Sequence, residues 1–129
     1  MGQHISAVAL VVPDYDAGIA FYVDTLGFDL IEDTQQSETK RWVLIAPKGA
    51  QTRLLLARAN GDTQSAAIGN QTGGRVGFFL HTDDFDADFA RMSAAGVLFE
   101  EEPRHEPYGS VAVFRDPFGN RWDLLQLTS

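Results

Sequence analysis

The side chains able to do chemistry are few and widely spaced. Near the C-terminus, FRDPFGNRWDLLQ (residues 114–126) reads as a strand, a tight turn over 117–120 and a second strand. That second strand carries one carboxylate, Asp123, among apolar neighbours. Burying such a charge without a partner is costly. Three roles suit it: metal ligand, anchor for a bound molecule, or half of an ion pair with Arg121, two residues away on the same face. The chain has three histidines, His4, His81 and His105, and no cysteine. Disulfides, thiolate metal sites and Cys nucleophiles are thereby excluded. As acid–base chemistry, Asp123 could act as base with His81 or Tyr108 as acid, which requires both to reach one substrate atom. The plainer reading of His81 is a strand-end imidazole bonded to backbone or to Asp83 or Asp84.

The elements that must position these groups repeat. VALVVPDYDAGIAFYVDTLGF (8–28) lies over FFLHTDDFDADFARMSAAGV (78–97), with Asp14-Tyr15-Asp16-Ala17 falling on Asp84-Phe85-Asp86-Ala87. Arg53-Leu54-Leu55-Leu56 matches Arg121-Trp122-Asp123-Leu124, each preceded by a Pro-x-Gly turn. Matches in the same order point to two copies of one unit. Each copy opens with an extended apolar run (5–12, 75–81), followed by an acidic N-cap and a helix. Helical spacing is carried by Ile19, Val23 and Leu26 in the first, and by Phe85, Phe89 and Met92 in the second. Gly27 and Gly96 end them. Three strands then follow in each copy, near 28–34, 40–46 and 52–58, and near 97–102, 109–115 and 121–127. The prediction is an α+β chain of two tandem βαβββ modules, 1–58 and 75–129, within a single domain of 129 residues. Residues 59–74, polar and glycine-rich, read as a linker, with a lid as the alternative.

Composition narrows the partners. A net charge of −8 opposes binding to nucleic acid and to anionic membranes. The N-terminus has no basic n-region before its apolar run, and no segment approaches a membrane span. A soluble, cytoplasmic protein is expected.

DYDAGIAFYVDTLGF and FRDPFGNRWDLLQ, in this order, resemble the vicinal oxygen chelate superfamily, the glyoxalase and bleomycin-resistance group. The resemblance spans nearly the whole chain and implies two βαβββ modules whose sheets curl into a cleft. Its members include metal-dependent isomerases, lyases and dioxygenases, and metal-free proteins that sequester drugs. The family's metal ligands come from four strand positions, which here hold Ala7, Leu55, Gly77 and Asp123. Three of these have no coordinating side chain, whereas a catalytic divalent metal usually takes about three His, Asp or Glu ligands. His4 has the wrong strand parity relative to Ala7, and His81 stands roughly 13 Å along the strand from Gly77. A displaced site of His105, Glu106 and Asp123 would need adjacent residues to aim at one point. The two-His, one-carboxylate triad of dioxygenases has no histidine at either expected strand position.

No cofactor is therefore expected. The leading reading is a metal-independent binder of a small, flat or amphipathic organic molecule, held in an aromatic-lined cleft and oriented by Asp123, Arg121 or Arg53. Phe79 faces inward by parity with Gly77, and Trp42, Tyr108, Phe114 and Phe118 are further wall candidates whose plainer role is core packing. Trp122 and Leu124 should pack against a helix. The alternatives are a glyoxalase-like isomerase or lyase, with a displaced metal or none, and a paired-sheet interaction module. The resemblance also implies a homodimer.

Overall fold

A computed structural model describes residues 2–128. Its contacts fall into two compact units that divide between Ile68 and Gly69.

In the first unit, β1 (Ala7–Val12) leads to Asp14, whose extended backbone and side chain cap α1 (Tyr15–Ile19), Oδ1 accepting from Asp16 N at 3.1 Å. The helix then widens into a π-helical stretch, Ala20–Thr25, with Leu26 N donating to Phe21 O at 2.8 Å. This wider turn changes the buried stripe from the predicted one. Tyr15, Gly18, Phe21, Tyr22 and Leu26 are buried, while Ile19 and Val23 are only half-buried. β2 (Asp29–Gln35), β3 (Arg41–Ala46) and β4 (Arg53–Arg58) complete a sheet of order β1-β4-β3-β2, with β1 and β4 parallel. Leu10, Val12, Val43, Ile45 and Leu56 form the core beneath the helix. Gly18 is needed there, because a Cβ on it would meet Leu56 Cδ1 at 2.9 Å.

The segment expected as an unstructured linker contains a seven-residue helix, α2 (Gly61–Ala67). None of its residues is buried, so it offers no apolar stripe to read.

In the second unit, β5 (Phe78–His81) is followed by α3 (Phe85–Ala94), β6 (Leu98–Phe99), β7 (Arg104–Glu106), β8 (Gly109–Arg115) and β9 (Arg121–Leu127). The sheet order is β5-β9-β8-β6, with β7 pairing on β8. The predicted strand 97–102 is thus cut back to Leu98–Phe99, and β7 is a further short strand beyond it. Asp84 caps α3, accepting from Ala87 N at 3.2 Å. The Gln126 amide ties β9 to the helix start, accepting from Phe85 N and donating to Asp83 O, both at 2.8 Å. Beneath α3 runs a chain of rings: Phe78 on Trp122, Trp122 on Phe114, Phe114 against Phe99, Phe99 against Phe89.

The hairpin between β8 and β9 is set by Asp116. Its buried carboxylate accepts from Phe118 N (2.9 Å), Asn120 N (2.9 Å) and Asn120 Nδ2 (2.7 Å). Gly69 packs on this turn with φ +69, so close that a Cβ would collide with the Phe118 carbonyl.

Candidate functional site

Residues directly opposite one another on paired strands share a face. In the second sheet Asp123 stands opposite Phe79 on β5 and Val113 on β8. His81 lies one pair further, opposite Leu125. This face is the one turned away from α3, and Phe79 is 61% exposed on it. The Asp123 carboxyl is half-buried and makes no hydrogen bond or ion pair among the described residues. Burial is the main cause that raises its pKa above the usual aspartate value; Arg104 and Arg121 pull the other way, and the Glu101 charge adds to the rise.

The predicted Asp123–Arg121 pair is replaced by another. Arg121 is bound by Glu100, with Nε to Oε2 and Nη2 to Oε1 both at 2.9 Å, and it also reaches the Gly74 carbonyl. Arg115 completes the cluster, its Nε 2.6 Å from Glu100 Oε2. A fork-to-fork pair of this kind outcompetes a single neighbour on the same strand. The Glu100 carboxyl is accordingly held below the usual range by Arg121 first, with Arg115 adding to the effect.

Phe114 was expected on the site wall, but it is fully buried, stacked on Trp122 on the helix side. The reason is register. Arg115 pairs with Arg121 across the five-residue turn, so Phe114 pairs with Trp122 and lies on the other face of the sheet from Asp123. Trp122 and Leu124 are buried as predicted. The ring of His81 has no hydrogen-bond partner among the described residues; the groups expected to hold it are engaged, Asp83 O by Gln126 and the Asp84 carboxylate by the helix cap. Tyr108 is 50% exposed beside Gly109. Gly109 pairs with Leu127, four residues and about 13 Å along the strand from Asp123. Tyr108 and Asp123 are not brought together.

Nor does the structure gather the displaced metal set. His105 pairs with Ser110 on the opposite face from Asp123, its Nδ1 2.9 Å from Ser110 Oγ, and Glu106 stands near the far end of the hairpin. Among the described residues no three His, Asp or Glu side chains cluster as a metal site would require. His4 lies ahead of β1 in an exposed segment. At the four family positions the donor set does not fit a divalent cation. Ala7 and Leu55 share the face of the first sheet turned away from α1, one register step apart, and neither carries a donor. At Gly77 the space for a side chain is filled, since a Cβ would collide with Thr72 Cγ2, while Thr72 Oγ1 donates to Arg75 O at 2.8 Å.

In the first unit Arg53 shares the face of Ala7 and Leu55, and its buried Nε has no hydrogen-bond partner among the described residues. Such an orphan donor is uncommon in folded proteins. Trp42, two residues from Leu44 on the same face, lines a pocket of about 600 Å³ with Leu55, Tyr15, Arg41 and Arg58. Sequence reasoning missed Tyr15, Arg41 and Arg58 as pocket residues. Strand alternation would have set Arg41 on the face of Val43, away from Trp42, and the pocket itself has no sequence signature.

Residues 4–124 match the Glyoxalase/Bleomycin resistance protein/Dioxygenase superfamily, and the chain belongs to it. A protein of Shewanella frigidimarina is 56% identical over 98% of this chain and 96% of its own length. Among solved structures, UcmS2 is 32% identical with a TM-score of 0.83, covering 97% of this chain and 98% of that one. TnmS3, an antibiotic binding protein from Streptomyces sp. CB03234, is 38% identical with a TM-score of 0.79, covering 98% and 97%. The mixed α+β fold is that of this family.

Proposed function

We propose that the protein binds a small, flat organic molecule on the face of the second sheet that carries Phe79 and Asp123, and does so without a resident metal or cofactor. The observation that carries this reading is the Asp123 carboxyl: half-buried, raised in pKa by that burial, without a donor among the described residues, and directly opposite a phenyl ring left 61% exposed. An acceptor and an aromatic surface side by side suit a ring system bearing an amine or hydroxyl, which would stack on Phe79 and donate to Asp123. Similarity to an antibiotic binding protein over nearly the whole chain supports the same reading. The ligand class follows from the site: a carboxylate recruits donors and cations, not anions.

The test is a calorimetric screen of amine- and hydroxyl-bearing polycyclic compounds against the wild type and Asp123→Asn. Binding that weakens about tenfold or more in the variant supports the site. A ligand bound equally well by both would remove Asp123 from it. Metal content after exposure to zinc, nickel, manganese and ferrous iron, then desalting, should be far below one ion per chain; stoichiometric retention overturns the metal-free part. The protein is also proposed to act as a homodimer, and light scattering giving twice the 14.2 kDa chain mass is the expected result.

A further inference from the structure

The pocket of the first unit stands apart from the Asp123 face in composition, and no residue is shared. The whole chain carries 18 Asp and Glu against 10 Lys and Arg. The pocket lining reverses this: it includes Lys40, Arg41 and Arg58 and no acidic residue.

The three cations are not equivalent. Arg41 is occupied: its Nε and Nη2 bind the Asp33 carboxylate at 3.1 and 2.6 Å, and its Nη1 binds Asp16 at 2.8 Å. It is a fixed strut. Arg58 and Lys40 form no ion pair among the described residues. Arg58 is nevertheless held in place, because its guanidinium lies 5.8 Å from the centroid of the Tyr15 ring, which Arg41 approaches at 5.3 Å. A guanidinium stacked on a ring keeps its edge N–H groups for another acceptor. On the other side of the pocket Trp42 and Leu55 supply an apolar wall. Asn60, whose backbone N–H is bound by Gln64 Oε1 at 2.8 Å, brings an amide side chain to the lining.

We infer that this pocket is a second binding site, for a planar aromatic acid whose ring lies against Trp42 and Leu55 and whose carboxylate is held by Arg58 and Lys40. About 600 Å³ is within the usual range for small-molecule sites. A polar group such as a phenol on the ring would find the Asn60 amide. In a chain of net charge −8 the long-range field opposes an incoming anion, so the attraction must come from the two cations without acidic partners that this one concavity holds. The selectivity therefore rests on local donors rather than on long-range attraction.

The probe is 2-naphthoate, with neutral 2-naphthamide as its isostere, followed by ¹⁵N–¹H NMR and calorimetry. The protein has two tryptophans, and Trp122 is 4% exposed within the other unit's core. The expected result is a shift of the Trp42 indole N–H on adding 2-naphthoate, with a Kd of about 1 mM or tighter and at least about fivefold weaker binding of the amide. Arg58→Gln with Lys40→Gln should weaken 2-naphthoate about tenfold or more. Both side chains are on the surface or its edge, so the variant's fold is verified by its unchanged NMR dispersion. Lys48→Gln, which removes one positive charge from an exposed site outside the pocket, should leave the affinity within about twofold, whereas Arg58→Gln alone should weaken it measurably. An unmoved Trp42 signal, equal binding of acid and amide, or equal weakening by Lys48→Gln would each overturn the site.

Discussion

Asp123 and Asp116 are seven residues apart and have opposite fates. Asp116 is 4% exposed, and its carboxylate satisfies three donors of the turn it closes. Removing it in Asp116→Ala strands those donors, and the expected loss is about 3 kcal/mol in urea unfolding. Asp123 has burial without donors. Its folded pKa lies above the value of 3.8 expected in the unfolded chain. The charged form is thus penalised in the fold at neutral pH, and the penalty fades as pH falls through the raised folded value and is gone below the unfolded one. Asp123→Asn should therefore raise the Tm at pH 7, with a gain that shrinks toward pH 3; a lowered Tm at pH 7 would contradict an unpartnered carboxyl. The sequence singled out Asp123 as anomalous but misassigned its neighbour. Arg121 sits two residues away, and only the folded β6–β8 edge reveals Glu100 as the stronger partner.

At the scale of elements, six of the strands were legible to within two residues, because alternation and Pro-x-Gly turns mark them. By contrast, β5 starts three residues late, 97–102 shrinks to Leu98–Phe99 and β7 carried no signal. Faces were less so. The hairpin turn was read as four residues, 117–120, whereas the Asp116–Asn120 bonds make it five and set Arg115 opposite Arg121. Strand parity at Phe114 was not settled by the sequence, and this register puts it in the core beside Trp122. The first helix shows the complementary failure: period 3.6 selects Ile19 and Val23, and the π-helical stretch buries Phe21 and Tyr22 in their place. Close packing of this helix on the sheet makes Gly18 sensitive. Gly18→Val improves neither side of the balance, since its methyls would meet Leu56 and Val12, and a cost of about 1–3 kcal/mol is expected in the urea midpoint. A neutral result would show that the helix can lift off β4.

For the molecule as a whole, the repeat was legible because both halves retain cap, helix-ending glycine and hairpin in order. The pocket was not, since Tyr15, Lys40 and Arg58 converge only through folding. Acid stability should be governed by two carboxyls held low by arginines: Asp33 by its hydrogen bonds to Arg41, and Glu100 by those to Arg121. Each contributes stability above the unfolded carboxyl value near 4, and that contribution is lost as pH falls through the lowered folded value. Urea midpoints should fall steeply below about pH 4 in the wild type, and less steeply in Glu100→Gln. Equal slopes would show that the Glu100 cluster adds nothing to the fold.

Thr72 closes the Gly77 position to any larger side chain. A histidine placed there would run into a methyl already anchored by its hydroxyl to the Arg75 carbonyl. Engineering a metal ligand at this position would therefore require a smaller residue at 72 in the same variant.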